Sequence, residues 1–85
     1  MGNRLEITAK RLITLREERG WTKERLAEES NLPIGSIHNY ENCIKAPGYN
    51  SILKLMIVFD ESADYIMGES NIRKASVGRL KKIAQ

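Results

Sequence analysis

The sequence has few features of a membrane, disulfide-bonded or disordered protein. Its single cysteine excludes a disulfide within the chain, so packing has to provide the stability. No apolar run approaches the roughly 20 residues that a membrane-spanning helix needs, and the first residues lack the apolar stretch of a signal peptide. Only two prolines and six glycines are present, which argues against disorder and repeats. We therefore expect one small cytoplasmic domain that does not associate with a membrane.

Residue types that carry catalysis or bind metals are also scarce. His38 is the only histidine, and one cysteine five residues later, Cys43, is too little for a zinc site. No second histidine could activate Cys43 as a nucleophile, and no glycine-rich phosphate loop is present. Asp60, Glu61 and Asp64 fit a helix cap and a solvated face better than a pair of catalytic carboxylates. The sequence predicts no enzyme, no metal site and no cofactor, and it indicates no small-molecule effector.

Charge divides the chain into a nearly neutral body and a basic tail. Residues 1–68 hold nine Lys/Arg against ten Asp/Glu, and residues 69–85 hold five Lys/Arg against one Glu. We expect a folded domain over 1–68 and a tail over 69–85 that suits nucleic acid or an acidic partner, although a solvated terminus would have the same composition. A weak apolar stripe makes a short C-terminal helix possible; its residues are Ile72, Ala75, Leu80, Ile83 and Ala84.

Apolar spacing predicts helices throughout and no strand. Residues at three- and four-residue steps mark one face of helix 1, namely Leu5, Ala9, Leu12 and Leu15. Helix 1 should begin between Asn3 and Thr8 and end near Arg19, before Gly20; Asn3 with Glu6 could form a capping box. Caps, prolines and glycines place four more helices: helix 2 after Thr22, helix 3 from Pro33 and Ile34 to about Asn42, helix 4 from Asn50 or Ser51 to Phe59, and helix 5 from Ser62 to Gly68. Helix 4 is apolar on most sides and is expected to be central.

The link between helices 2 and 3 has the spacing of a helix-turn-helix. Such a unit needs a small residue in its first helix, a turn residue that accepts a left-handed backbone, and an apolar residue in its second helix. Ala27, Asn31 and Ile37 meet these needs at offsets of four and ten residues. Asn31 is the usual substitute where glycine would provide the positive φ.

Two stretches resemble the Cro/phage-repressor-like (XRE) family of helix-turn-helix proteins. They are "RLITLREERGWTKERLAEESNLPIGSIHNYEN" and "APGYNSILKLMIVFDESADYIMG", and the resemblance covers roughly Thr8 to Gly68. It implies an all-α, five-helix repressor-like domain that binds DNA as a repressor or activator, usually as a dimer. Family members usually carry glycine where this chain has Asn31 and Cys43, and often a basic residue where Ile44 lies.

Helix 3 is the expected reader of the major groove. At about 100° per residue, Ile37 and Tyr40 define its inward direction. Readers project from the outward side of the N-terminal part of such a helix, so Asn42 comes too late. The predicted base contacts are Ile34, Gly35, His38 and Asn39. Asn39 can pair with adenine, and His38 can donate to guanine or contact a phosphate.

Two further groups of residues are predicted around the reading helix. The phosphate contacts are expected at Thr22, Lys23, Ser36 and Lys45. The resemblance implies that Lys23 lies beside the DNA backbone. It also implies that Arg16 and Glu41 form a buried ion pair between helix 1 and the end of helix 3. We assign that pair to structure, because an unpaired charge on an inward face would be costly.

Together these observations predict a sequence-specific, DNA-binding transcriptional regulator, with repression as the expected mode. Its partner would be double-stranded DNA, bound as a homodimer whose surface is expected on helix 5 and the tail, including Ile66, Ile72 and Leu80. The alternative is a protein-interaction module of the same fold, resembling an antirepressor or antitoxin, that uses the exposed face of helix 4, helix 5 and the tail.

Overall fold

Five helices make up the regular structure of the part of the chain that the computed structural model describes, residues 3–71 and 73. They are α1 (Arg4–Glu18), α2 (Lys23–Ser30), α3 (Ile34–Glu41), α4 (Tyr49–Phe59) and α5 (Ala63–Ile66). These residues contain no strand, which confirms the all-α, five-helix prediction. None of these helices has the length and apolar character needed to cross a bilayer. The predicted C-terminal helix, with Leu80, lies outside the described residues.

Side-chain caps begin three of the helices, as the sequence predicts. Asn3 Oδ1 accepts from the Glu6 backbone N–H at 2.9 Å, and Thr22 Oγ1 accepts from that of Arg25 at 3.0 Å. Ser62 Oγ accepts from the Tyr65 backbone N–H, in α5, at 3.1 Å. Each cap satisfies a donor that has no partner within the helix, which fixes where the helix starts.

The starts of α3 and α4 differ slightly from the prediction. Pro33 is the N-cap of α3 rather than its first helical residue. α4 begins at Tyr49, after Gly48, so Asn50 and Ser51 lie in its first turn and do not cap it. The Ser51 hydroxyl instead lies 2.9 Å from the Tyr40 hydroxyl, which donates to it and links α4 to α3.

The core lies where the apolar faces of all five helices meet. Its buried members are Leu12, Leu15, Leu26, Leu32, Ile37, Tyr40, Ile52, Leu55, Phe59, Tyr65 and Ile66. Trp21 packs on this cluster and stacks on Phe59 with 6.2 Å between ring centroids. Because Ile66 is fully buried, its predicted place on a dimer surface is wrong: it faces inward from a helix of only one turn.

α4 was expected to be central because it is apolar on most sides, but one of its apolar sides is exposed. Tyr49, Leu53 and Ile57 recur every four residues and form an exposed line, which we call the α4 stripe. Tyr49 is 79% exposed and Ile57 is 81% exposed. Leu53 lies two residues after Ser51, about 200° around the helix, so the stripe is on the opposite side of α4 from the contact with α3.

The first residues after α5 contact α1 and the loop between α4 and α5. Arg73 Nη2 donates to Glu18 at 2.8 Å, and Arg73 Nε donates to Glu61 at 3.2 Å. These hydrogen bonds raise the pKa of the Arg73 guanidinium, and the bond to Glu18 has the larger effect. Glu61 is buried, so its predicted place on a solvated face is wrong; the contact of Arg73 with Glu61 Oε2 compensates part of the carboxylate charge.

Arg11 of α1 also binds the segment that follows α5. Arg11 donates to the backbone carbonyls of Tyr65 and Ser70 and, at 2.7 Å, to Asn71 Oδ1. Its guanidinium also lies over the Tyr65 ring, 4.3 Å from the centroid. The domain boundary after Gly68 stays a prediction, but the chain remains attached to the folded body as far as Arg73.

Candidate nucleic-acid interface

The turn between α2 and α3 has the predicted left-handed residue. Asn31 adopts φ 58° and ψ 41°, and its backbone N–H donates to the carbonyls of Ala27 and Glu28. The next N–H, that of Leu32, also donates to Ala27 O, at 3.1 Å. Lys54 of α4 also contacts the turn, because its Nζ donates to Asn31 O at 3.1 Å. The backbone bonds satisfy the carbonyls of Ala27 and Glu28 in the last turn of α2 and fix the direction in which the chain leaves that helix.

The end of α3 is also built on a left-handed residue. Cys43 has φ 61°, which explains why glycine suits this position in the resembling family. The Ile44 N–H, one residue later, donates to Asn39 O at 2.9 Å. A residue in the left-handed conformation therefore lies just outside each end of α3, Asn31 before it and Cys43 after it.

The two faces of α3 differ as the reading model requires. Ile37, Tyr40 and Glu41 are buried, whereas the opposite side carries the residues predicted to read bases. Ile34, Gly35 and His38 are exposed, and Asn39 is half-buried. A Cβ added at Gly35 would meet no atom within 4 Å, so the protein itself leaves this position open. The four candidates thus lie along one accessible surface, and their roles in reading bases stay predictions.

The predicted phosphate contacts lie at the start of α2, in the first turn of α3 and in the loop after α3. Thr22 is exposed at the start of α2, where its oxygen accepts from Arg25 N–H and its hydroxyl hydrogen can still be donated. Lys23 is the first residue of α2 and is half-buried. Ser36 is half-buried in the first turn of α3, and Lys45 is exposed in the loop that follows α3. The phosphate roles of these four residues also remain predictions.

Arg16 and Glu41 form the ion pair that the resemblance implies. Arg16 Nε donates to Glu41 Oε2 at 2.8 Å and Arg16 Nη2 donates to Glu41 Oε1 at 3.1 Å, a two-pronged contact. Arg16 Nη1 also donates to Trp21 O at 2.8 Å. The hydrogen bond to Glu41 raises the pKa of the Arg16 guanidinium. The pair joins α1 to the last turn of α3 and so helps to hold α3 in place.

Asn42, predicted to lie too late in α3 to read bases, contacts one of the candidate base readers. Asn42 caps the C-terminus of α3, and its side chain folds back onto His38. Asn42 Nδ2 lies 2.8 Å from His38 O and 3.2 Å from His38 Nδ1. The spacing of four residues on a helix could have indicated this contact, because such pairs are neighbours on the helix surface.

Comparisons with known proteins agree with this geometry. A helix-turn-helix family model (HTH_3) matches residues 12–66. The chain is 32% identical over 65 residues to the HTH-type transcriptional regulator ImmR of Bacillus subtilis (strain 168), an alignment that covers 76% of this chain. The chain spans about half (51%) of the length of that relative. No solved structure matches the chain significantly. With more than half of its length matched by the family model, and with the left-handed turn that joins α2 to α3, the chain belongs to the helix-turn-helix family of the Cro/phage-repressor (XRE) type.

Proposed function

We propose that the protein is a transcriptional regulator that binds double-stranded DNA sequence-specifically and represses by occupying an operator. The observation that carries this proposal is the exposed outward face of α3, held at a fixed angle by the turn at Asn31 and by the ion pair between Arg16 and Glu41. Family membership and the name of the Bacillus relative support it. The function involves no catalysis, only complementarity to a DNA groove.

Base reading and phosphate binding are divided between two sets of residues in this proposal. Ile34, Gly35, His38 and Asn39 face base edges in the major groove, and Thr22, Lys23, Ser36 and Lys45 contact the backbone. Phosphate contacts fix the register of the protein on the duplex but carry no sequence information. The two sets therefore differ in a measurable way, since only phosphate contacts should affect all sequences equally.

Lys23→Ala should weaken binding to every duplex by a similar factor. The lysine neutralises one phosphate and displaces one condensed counterion, so the slope of log K against log salt should fall by roughly one. Fluorescence anisotropy titrations at several salt concentrations, on a selected operator and on a random duplex, measure both quantities.

Lys10→Ala is the matched control for this charge change. Lys10 is exposed and lies two residues before the core residue Leu12, about 200° around α1, so it faces away from the body of the domain. Its loss should leave the salt slope unchanged. Equal slopes for the parent and Lys23→Ala would remove Lys23 from the phosphate set.

We further propose that the DNA-bound form is a homodimer, with two α3 helices about 34 Å apart in successive major grooves. The α4 stripe is the surface proposed for pairing, because it lies away from α3 and would leave both reading helices free. Stable interfaces bury about 800 Å² per partner, more than Tyr49, Leu53 and Ile57 can provide alone. The tail beyond Arg73, with Leu80 and Ile83, is proposed to supply the remaining contact area.

Sedimentation equilibrium should show that Ile57→Lys shifts the protein toward monomer. The substitution places a charge within the proposed apolar contact, where it would be desolvated. Ile44→Lys is the control, because Ile44 is also exposed and apolar but lies in the loop after α3. A chain ending after Arg73, which keeps the contacts to Glu18 and Glu61, tests the tail separately. If Ile57→Lys dimerises as strongly as the parent, the α4 stripe is not the interface.

The α4 stripe also favours a second candidate function, a protein-interaction module with weak or no DNA binding. In that case the stripe would receive a different protein, and α3 would serve only as a structural support. Salt separates the two functions: an affinity for DNA that depends on phosphate contacts falls steeply as salt rises, whereas an apolar interface need not respond.

A further inference from the structure

The contact between Asn42 and His38 determines which nitrogen of the histidine carries the proton. A backbone carbonyl can only accept hydrogen bonds, so the Asn42 atom 2.8 Å from His38 O has to be the amide nitrogen. That NH₂ group has a second hydrogen, and its other neighbour is His38 Nδ1 at 3.2 Å. Nδ1 must therefore accept, which leaves the proton of the neutral ring on Nε2.

This arrangement gives the reading helix a donor of fixed identity. His38 is exposed, and Asn42 occupies its Nδ1 side, so the Nε2–H is the polar atom that the ring offers outward. Among the neighbouring candidates, Gly35 has no side chain and Ile34 is apolar, and the amide of Asn39 is assigned to adenine. The outward face of α3 has no Arg or Lys, the residues that most often donate to guanine.

We propose that Asn42 is a positioning residue that holds His38 as an Nε2–H donor, and that His38 uses this donor to select guanine over cytosine at one base pair. In the major groove guanine presents two acceptors, N7 and O6, whereas cytosine presents the N4 amino donor, which would oppose the His38 N–H. The inference rests on the proposed function, since it assigns a base to a side chain of the proposed reading surface.

The tautomer can be tested without DNA. Because the chain has one histidine, long-range ¹H–¹⁵N correlation spectra contain a single imidazole. At about pH 9, where an ordinary histidine is neutral, the free parent should show Nε2 protonated and Nδ1 unprotonated. Asn42→Asp should reverse this, because a carboxylate accepts and draws the proton to Nδ1. Asn50→Asp adds the same charge on the exposed side of α4 and should leave the spectrum unchanged. A parent with Nδ1 protonated, or an Asn42→Asp variant with the parental pattern, would overturn the assignment.

The base preference is tested on operator duplexes in which each G·C pair is inverted in turn. The parent should lose about tenfold in affinity when the pair read by His38 is inverted, the effect of one base contact. His38→Ala and Asn42→Asp should each abolish that loss, while Asn50→Asp keeps it. If the parent discriminates among inverted duplexes and His38→Ala does so equally, His38 does not read the pair although the proposed function stands. If the parent binds no duplex, the proposed function itself fails and the base assignment with it.

Discussion

Glu41→Ala should lower the free energy of unfolding by about 3–5 kcal/mol, the usual consequence of leaving one partner of a buried ion pair without the other. The side chains of Arg16 and Glu41 are only 14% and 2% exposed, so water cannot replace the lost carboxylate. Arg16 would keep its hydrogen bond to Trp21 O but would lose the two bonds that neutralise its charge. Urea denaturation monitored by circular dichroism measures the change.

The chain contains a matched pair that isolates the effect of burial. Arg25 Nε lies 2.8 Å from Glu29 Oε2, the same distance as in the buried pair, but these side chains are 56% and 40% exposed. Glu29→Ala should therefore change the stability by no more than about 0.5 kcal/mol, because exposed pairs within a helix contribute little. Similar losses for Glu41→Ala and Glu29→Ala would show that burial does not strengthen the contact between Arg16 and Glu41.

A loss of 3–5 kcal/mol could unfold a domain of this size, since such domains have a stability of about 5–15 kcal/mol. The double variant Arg16→Met/Glu41→Leu keeps the measurement possible. It removes both charges and fills the space with apolar atoms, so it should be more stable than Glu41→Ala alone. A double variant that is less stable than Glu41→Ala would contradict the explanation that the unpaired charge of Arg16 causes the loss of stability.

The turns that shape the candidate site were predictable because their chemistry is local. Asn31 accepts a left-handed backbone more readily than most residues, and the structure places it at φ 58°. At the caps of Thr22 and Ser62, the side-chain hydroxyl oxygen accepts from a backbone N–H only three residues later. The outward face of α3 followed from the helical period alone, once Ile37 and Tyr40 had been taken as buried.

Contacts between residues that are distant in the chain could not be predicted in this way. Glu61 looked like a surface carboxylate because its partner, Arg73, lies twelve residues away in the chain, beyond the reach of a local pattern. Ile66 looked available for dimerisation because one turn of helix does not reveal which side faces inward. Conversely, α4 is apolar on most sides and was expected to be central, but five short helices do not enclose Ile57.

Asn39→Ala should weaken binding to the preferred operator by about 1–3 kcal/mol and flatten discrimination at one base step, with little effect on random DNA. The amide can donate to adenine N7 and accept from adenine N6, a match that other bases do not offer. The substitution should not disturb α3. The contact that Asn39 makes with the following loop uses its backbone carbonyl, which accepts from Ile44 N–H, and alanine favours a helix.

Asn50→Ala is the control for Asn39→Ala, since it removes the same amide from an exposed position on α4. It should bind the operator and random DNA as the parent does. The decisive comparison is with Lys23→Ala: a base reader changes the ratio of specific to random affinity, whereas a phosphate contact changes both affinities together. If neither Asn39→Ala nor Lys23→Ala differs from the parent on any duplex, α3 is a structural support. The α4 stripe, with Tyr49 and Ile57 open to solvent, then becomes the surface through which the protein acts.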